Sequence, residues 1–291
     1  MRAIVSGAAG FTGAVLCEVL RNNGIEVYAL VRAGSDHNRR LDDSDAGMHM
    51  IETSLGQLSD VVESIDAPCD CFFHLAWNAG NGADDQEKNV WYALDALRAA
   101  AKAGCKRFIA TGSQAEYGAV SPDTVQAEDI MTDPFSAYGK AKVKACDASR
   151  QLANELGIEW IWGRIFSLIG RYEPTTRMLP ALYHAMKEDR EFRLSSCRQN
   201  WDYLDVYDAA EALLALAYKG RGGEIYNIAA GDYRPLKEYT EELKRLINPD
   251  GKIIYGEDPN PFVSLQPSIE KIAADTGWNP KRSFADSLED Y

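Results

Sequence analysis

The chain has 291 residues and is acidic, with 31 Lys and Arg against 44 Asp and Glu and a formal net charge of −13. That balance excludes the basic surplus that nucleic acids and anionic membranes demand. It leaves room for an anionic ligand held by a few arginines or backbone amides. Hydrophobic residues at 46% and charged residues at 26% fit a globular protein long enough to bury a large core.

The small apolar run Ala3 to Ser6 predicts a first strand. It runs directly into Gly7-Ala8-Ala9-Gly10-Phe11-Thr12-Gly13 and then a helix to Asn22. In a strand-turn-helix setting the first glycine permits a sharp turn. The second lets backbone N–H groups approach a pyrophosphate, and the third lets the helix pack close to the sheet. The spacing is one residue longer between the first two glycines than in the commoner dinucleotide fingerprint. Strands are then expected at Glu26–Val31, Met48–Glu52, Cys71–Leu75, Arg107–Thr111 and Glu159–Ile165. Between them, helices are expected at 58–65, 86–103 and 137–156, with Gly24, Gly104 and Gly157 as stops. Such alternation predicts an α/β fold, a parallel sheet with helices on both faces. After Gly170 the texture changes to a loop-rich stretch with Pro174 and Pro180. Helices at 179–187, 209–218 and 236–247, a strand at 224–228 and short segments near 253–255 and 269–276 follow.

Six cysteines (Cys17, Cys69, Cys71, Cys105, Cys146, Cys197) are scattered and read as buried free thiols of a reducing compartment. Cys69 and Cys71 are expected on one strand face, with no second pair to complete a zinc site, so no metal is expected. No signal segment precedes the first strand and no apolar run is long enough to span a bilayer. A cytoplasmic protein with neither nucleic-acid nor membrane partners is the expectation.

Two further patterns carry chemistry. Tyr138 and Lys142 stand four residues apart in a predicted helix and so share one face. A nearby ammonium favours the phenolate, and a phenol so tuned can exchange a proton with a carbonyl or hydroxyl near neutral pH. Ser113, in Thr111-Gly112-Ser113-Gln114-Ala115-Glu116-Tyr117-Gly118, stands just past a predicted strand end. Open α/β sheets place their sites at such ends, and a hydroxyl there can hydrogen-bond a substrate oxygen.

In this order, the three patterns resemble the extended short-chain dehydrogenase/reductase family, also called the NAD-dependent epimerase/dehydratase family. His74-Leu75-Ala76, Asn89-Val90, Asp205-Val206-Tyr207-Asp208, Tyr226-Asn227-Ile228 and Gly277-Trp278-Asn279-Pro280 add to the resemblance, which covers nearly the whole chain. It implies a Rossmann-type doubly wound parallel sheet over 1–170 and a smaller C-terminal α+β substrate-binding lobe over 171–291. Segment 201–208 is expected to return to the large domain. It also implies hydride exchange with a nicotinamide cofactor, with Ser113, Tyr138 and Lys142 as the catalytic set. Cofactor contacts are then expected from Gly7, Gly10, Phe11, Thr12, Gly13, Arg32, Leu75, Ala76, Trp77, Asn89, Thr111, Tyr138, Lys142 and Phe166. His74 is expected to be a structural hydrogen-bonding residue rather than a base.

An NAD enzyme usually carries an acid at the end of the second strand, bonded to the ribose 2′-hydroxyl. Here Arg32 stands there, which suits a 2′-phosphate. NADP is therefore expected, with NAD as the alternative and Asp36 as its main support. The substrate side departs from the family pattern. Trp201-Asp202 replaces the Arg-Asp of members that act on nucleotide-diphosphate sugars, Pro261-Phe262-Val263 lacks the second diphosphate arginine, and Ser167 replaces an asparagine. Arg171, Arg177 and Arg198 are the candidate substitutes. Trp77, Gln114, Ser167, Arg177, Arg198 and Trp201 form the expected substrate set. Gln114-Ala115 replaces the Asp-Glu pair of the dehydratases, which argues against dehydration. The resulting expectation is a reductase or epimerase of a nucleotide-linked keto sugar, homodimeric through the helices that carry Asn89 and Tyr138. The alternatives are a reductase of a small carbonyl compound and a non-catalytic NADP-binding regulator.

Overall fold

The computed structural model describes residues 1–65, 67–80 and 82–291. Its first part comprises β1 (Arg2–Ser6), α1 (Phe11–Asn22), β2 (Glu26–Val31), β3 (Met48–Glu52), α2 (Leu58–Val61), β4 (Cys71–His74), α3 (Ala83–Lys102), β5 (Arg107–Ser113), α4 (Ala137–Leu156) and β6 (Glu159–Ile165). The remainder comprises β7 (Ser167–Ile169), α5 (Met178–Lys187), β8 (Phe192–Leu194), β9 (Asn200–Trp201), β10 (Tyr203–Asp205), α6 (Val206–Lys219), β11 (Glu224–Ile228), β12 (Arg234–Pro235), α7 (Leu236–Ile247), β13 (Ile253–Tyr255), α8 (Glu270–Thr276) and α9 (Phe284–Leu288). Seven strands form one parallel sheet in the order β11-β6-β5-β4-β1-β2-β3. This is a Rossmann-type doubly wound arrangement.

Successive side chains of a strand point to opposite faces, and the buried residues divide accordingly. Val5, Phe73, Ile109 and Ile161 pack with α1 and α6. Their neighbours Ile4, Phe72, Phe108, Trp160 and Trp162 pack with α3 and α4. Because both faces are covered, these strands read as continuous apolar runs. Cys71 lies with the first group, whereas Cys69 precedes β4 and packs with the second. The two cysteines therefore do not share a strand face. All six cysteines are free and buried.

The chain order reverses around β1, which pairs with β2 on one side and β4 on the other. A crevice opens at the carboxyl ends of these strands. The C-terminal lobe has its own core, formed by Leu179, Leu182, Met186, Leu243 and Leu288. The lobe expected over 171–291 yields more than 201–208 to the large domain. Leu204, the apolar face of α6 and Ile228 all join the first core, and β11 extends the sheet. α6 starts at Val206, three residues before the expected start. The Asp205 carboxylate accepts the Tyr207 N–H (2.7 Å) and caps the helix there.

Candidate active site

The glycine loop forms the floor of the crevice. Gly7 has φ +73°, and a Cβ there would stand 2.8 Å from the Ala76 nitrogen. A Cβ on Gly13 would collide with the Gly7 carbonyl oxygen, so this helix can approach β1 only with glycine at that position. Gly10 caps α1 without a side chain, leaving the first-turn N–H groups without a side-chain acceptor, and the first-turn residues Phe11, Thr12 and Gly13 line the crevice. Such a cradle fits a pyrophosphate, which meets both the free donors and the positive end of the helix dipole.

Two connected spaces flank the loop. A cleft of about 780 Å³ is lined by Gly7, Gly10, Phe11, Thr12, Gly13, Leu75, Trp77, Thr111, Ser113, Gln114, Tyr138, Lys142, Phe166, Ser167, Arg177 and Trp201. A cavity of about 630 Å³ shares Gly7, Gly10, Leu75 and Trp77 with it and adds Ala76 and Arg32. Together these spaces bring nearly all of the sequence-predicted site residues into one groove.

Asn89, Arg198 and Arg171 lie elsewhere. Asn89 is buried on α3, where it accepts the Asn78 N–H (2.8 Å) and donates to the Asn78 carbonyl (3.1 Å). It holds the loop after β4 instead of lining the groove. Arg198 is committed to Asp258 through an Nε contact of 3.0 Å on the outer surface. Arg171 is committed to Glu18 (2.9 Å) and the Tyr207 hydroxyl (2.8 Å). Only Arg177, of the three arginines expected to bind phosphate, faces the cleft.

The chemical residues stand where β5 ends and α4 begins. The Ser136 hydroxyl accepts the Gly139 N–H (3.0 Å) and starts α4. Gly139 lies so close to the Ala115 carbonyl that a Cβ would collide with it. That approach brings Tyr138, in the first turn of α4, beside Ser113. Ser113 is held in turn by its N–H, which donates to Glu116 Oε1 (2.8 Å).

Glu116 does not face the cleft. It is fully buried, bonded to Arg164 Nε (2.8 Å) and Trp162 Nε1 (3.0 Å). Its role is to fix the Ser113 turn, and it is not placed to act on a sugar. His74 is likewise structural. Its Nδ1 lies 2.7 Å from Ser6 Oγ, and burial pushes its pKa down to about 3, with Lys142 adding to the effect.

Lys142 is 3% exposed and donates to the Thr111 carbonyl (2.7 Å), with its Nζ 3.6 Å from the centre of the Trp77 ring. Burial lowers its pKa to about 7, and Glu116 opposes that change. Tyr138 has its pKa raised above the ordinary phenol value. Burial is the main cause and Glu116 adds to it, while hydrogen bonding to Ser113 and the charge of Arg177 oppose it. The expected lowering by Lys142 is thus not what this geometry produces. The ammonium is turned to Thr111 and Trp77, 5.7 Å from the centre of the Tyr138 ring. Sequence reasoning also missed Glu173, which lines the cleft from a loop with no motif to mark it.

Among the described residues, no helix is long and apolar enough to cross a membrane. The model of the NAD dependent epimerase/dehydratase family matches residues 3–229. The chain is 26% identical over 314 aligned positions to UDP-glucose 4-epimerase of Corynebacterium glutamicum, covering 97% of this chain and 92% of that protein. It is 28% identical to 4-hydroxy-2-methyl-3-oxo-4-farnesyl-3,4-dihydroquinoline-1-oxide ketoreductase of Stigmatella aurantiaca, covering 84% of this chain and 72% of that one. Among solved structures, UDP-glucose 4-epimerase from Thermotoga maritima with UDP-glucose superposes with a TM-score of 0.88 at 23% identity, covering 99% of this chain and 96% of that one. With its glycine cradle and the Ser113, Tyr138 and Lys142 cluster on one groove, the chain belongs to the NAD dependent epimerase/dehydratase family of enzymes.

Proposed function

We propose that this enzyme is an NADP-dependent oxidoreductase or epimerase that reduces or epimerises a nucleotide-linked keto sugar. The observation that carries the reading is the convergence of Ser113, Tyr138 and Lys142 on a cleft whose other wall is the glycine loop. When bound, the nicotinamide exchanges hydride with a carbon that bears oxygen. Tyr138 gives a proton to that oxygen or takes one from it, a role suited to a phenol held at the cleft surface. The Ser113 hydroxyl orients the same oxygen. Lys142, held beside the cleft by Thr111 and Trp77, would hold the nicotinamide ribose.

The reading of NADP rests on the adenosine end of the groove. Arg32 is exposed there and, among the described residues, is in no ion pair. No carboxylate is among the described residues lining that cavity, so nothing there repels a 2′-phosphate. Asp36 pairs loosely with Arg39 at 3.7 Å and does not line it. The buried free thiols suit a reducing compartment, which supports a cytoplasmic location. A homodimer through α3 and α4 completes the proposal, with Trp91 exposed on α3 as its support.

The test is turnover of UDP- and dTDP-keto sugars and 4-epimers with NADP and NAD, in the native protein and in Tyr138→Phe. The variant should lose about 10²–10⁴ in turnover, as expected for a missing general acid, while keeping cofactor affinity. Equal turnover in the variant refutes the assignment. A second reading, a reductase of a small carbonyl compound, is favoured by Arg177 being the one arginine among the described residues lining the cleft and by the similarity to the ketoreductase. Turnover of small ketones with no binding of any nucleotide sugar would select it.

A further inference from the structure

The cleft holds a carboxyl that the proton and hydride chemistry does not use. Glu173 lies shortly after β7, its N–H donating to the Gly170 carbonyl (3.0 Å). Its side chain is only 4% exposed, yet it lines the cleft. The Tyr291 phenol donates to Oε2, and Arg177 Nη1 lies 3.9 Å from Oε1. The Tyr203 ring shares the same wall. Among the described residues lining the cleft, Glu173 is the only carboxyl, and Lys142 and Arg177 are the only cations. Lys142 is already turned to Thr111 and Trp77, so Glu173 and Arg177 set the charge of the substrate side between them.

We propose that Glu173 is a specificity-determining residue that admits sugars bearing hydroxyl groups at its wall and rejects those bearing a carboxylate there. This rests on the nucleotide-sugar reading above. An ionised carboxyl is acceptor-only, with about four lone-pair sites. Tyr291 and Arg177 engage only part of that capacity, so a sugar hydroxyl can donate to the remainder. A carboxylate in the same place would bring two like charges together in a site sheltered from water, which is unfavourable. Glu173 also screens Arg177, the one guanidinium that could otherwise attract such a substrate. Burial raises the Glu173 pKa to about 7, with Tyr291 and Arg177 opposing the rise, so rejection is strongest on the alkaline side of neutrality.

Calorimetric titration of the full chain saturated with NADP⁺, at pH 8, with UDP-glucose and with UDP-glucuronic acid, tests the idea. The native protein should bind UDP-glucose at least tenfold more tightly. Glu173→Gln should bring the ratio close to one, mainly by a gain in affinity for UDP-glucuronic acid. Tyr291→Phe retains the carboxyl but removes a donor that stabilises its charge, and it should reduce the ratio in part even where Glu173→Gln fails to fold. An unchanged ratio in folded Glu173→Gln, or in Tyr291→Phe should the first variant not fold, overturns the proposal and leaves the nucleotide-sugar reading intact. Failure of both UDP sugars to bind overturns the proposal, and failure of dTDP- and GDP-sugars as well overturns the nucleotide-sugar reading with it.

Discussion

Replacing Lys142 with Met should stabilise the protein while abolishing its activity. The ammonium is 3% exposed, and its pKa falls from the ordinary 10.5 to about 7. Lowering a pKa by one corresponds to roughly 1.4 kcal/mol, so carrying the charge into the fold costs about 4 kcal/mol at pH 7. Met fills similar space without that penalty. The lost hydrogen bond to Thr111 and the lost contact with the Trp77 ring offset about 2 kcal/mol together. A net gain of about 2 kcal/mol at pH 7 should remain.

The pH dependence gives a second readout, with a sign that follows from the lowered pKa. Between about pH 7 and 10.5 the unfolded chain keeps the Lys142 proton and the folded one does not, so native stability rises with pH across that window. In the variant that rise should be flatter by up to about 1.4 kcal/mol per pH unit, the slope of one proton. Urea unfolding of both proteins at pH 6, 7, 8 and 9 measures both effects. A variant less stable than the native protein at pH 7, or an identical pH dependence in the two, refutes the account of Lys142 as a charge carried at the expense of the fold.

Three further outcomes follow from the contacts around the groove. Glu116→Ala leaves the Arg164 guanidinium buried and unpaired, which should cost about 3–5 kcal/mol in urea unfolding, and a loss under about 1 kcal/mol would show that the pair is not structural. Arg32→Asp should weaken NADP about tenfold to a hundredfold, the equivalent of one charge-assisted hydrogen bond, and improve NAD. Titration of the protein with both cofactors decides it, and an unchanged preference would show that Arg32 does not meet the 2′-phosphate. Asn89→Ala strands the Asn78 N–H and leaves the Asn78 carbonyl only the longer bond from Gln86 Nε2 (3.4 Å), and it should lower stability by about 1–3 kcal/mol with only a several-fold loss of cofactor affinity. A large loss of affinity at full stability would instead make Asn89 a direct cofactor contact.

Much was determined by the sequence alone, and the reason is locality. Backbone needs are written into single residues, and periodicity is written into short windows. Gly7, Gly10 and Gly13 announce a turn and a close helix approach within seven residues, and the structure shows the contacts that forbid a side chain at Gly7 and Gly13. The strands at 26–31, 48–52, 159–165 and 224–228 and the helices at 137–156 and 236–247 have the expected limits. The spacing of Tyr138 and Lys142 already placed both on one helix face.

What only the tertiary structure decided depends on partners far away in the chain. Arg198 and Arg171 carry the same charge in the sequence as Arg177, yet Asp258 and Glu18 claim them and only Arg177 reaches the cleft. Glu116 stands three residues from Ser113 in the sequence, but Arg164 and Trp162 draw it into the core. The Lys142 pKa is set by how deeply α4 packs, and the exposure of Glu173 depends on Tyr291, 118 residues away. Burial and pairing are sums over the whole fold, so no local window of sequence contains them.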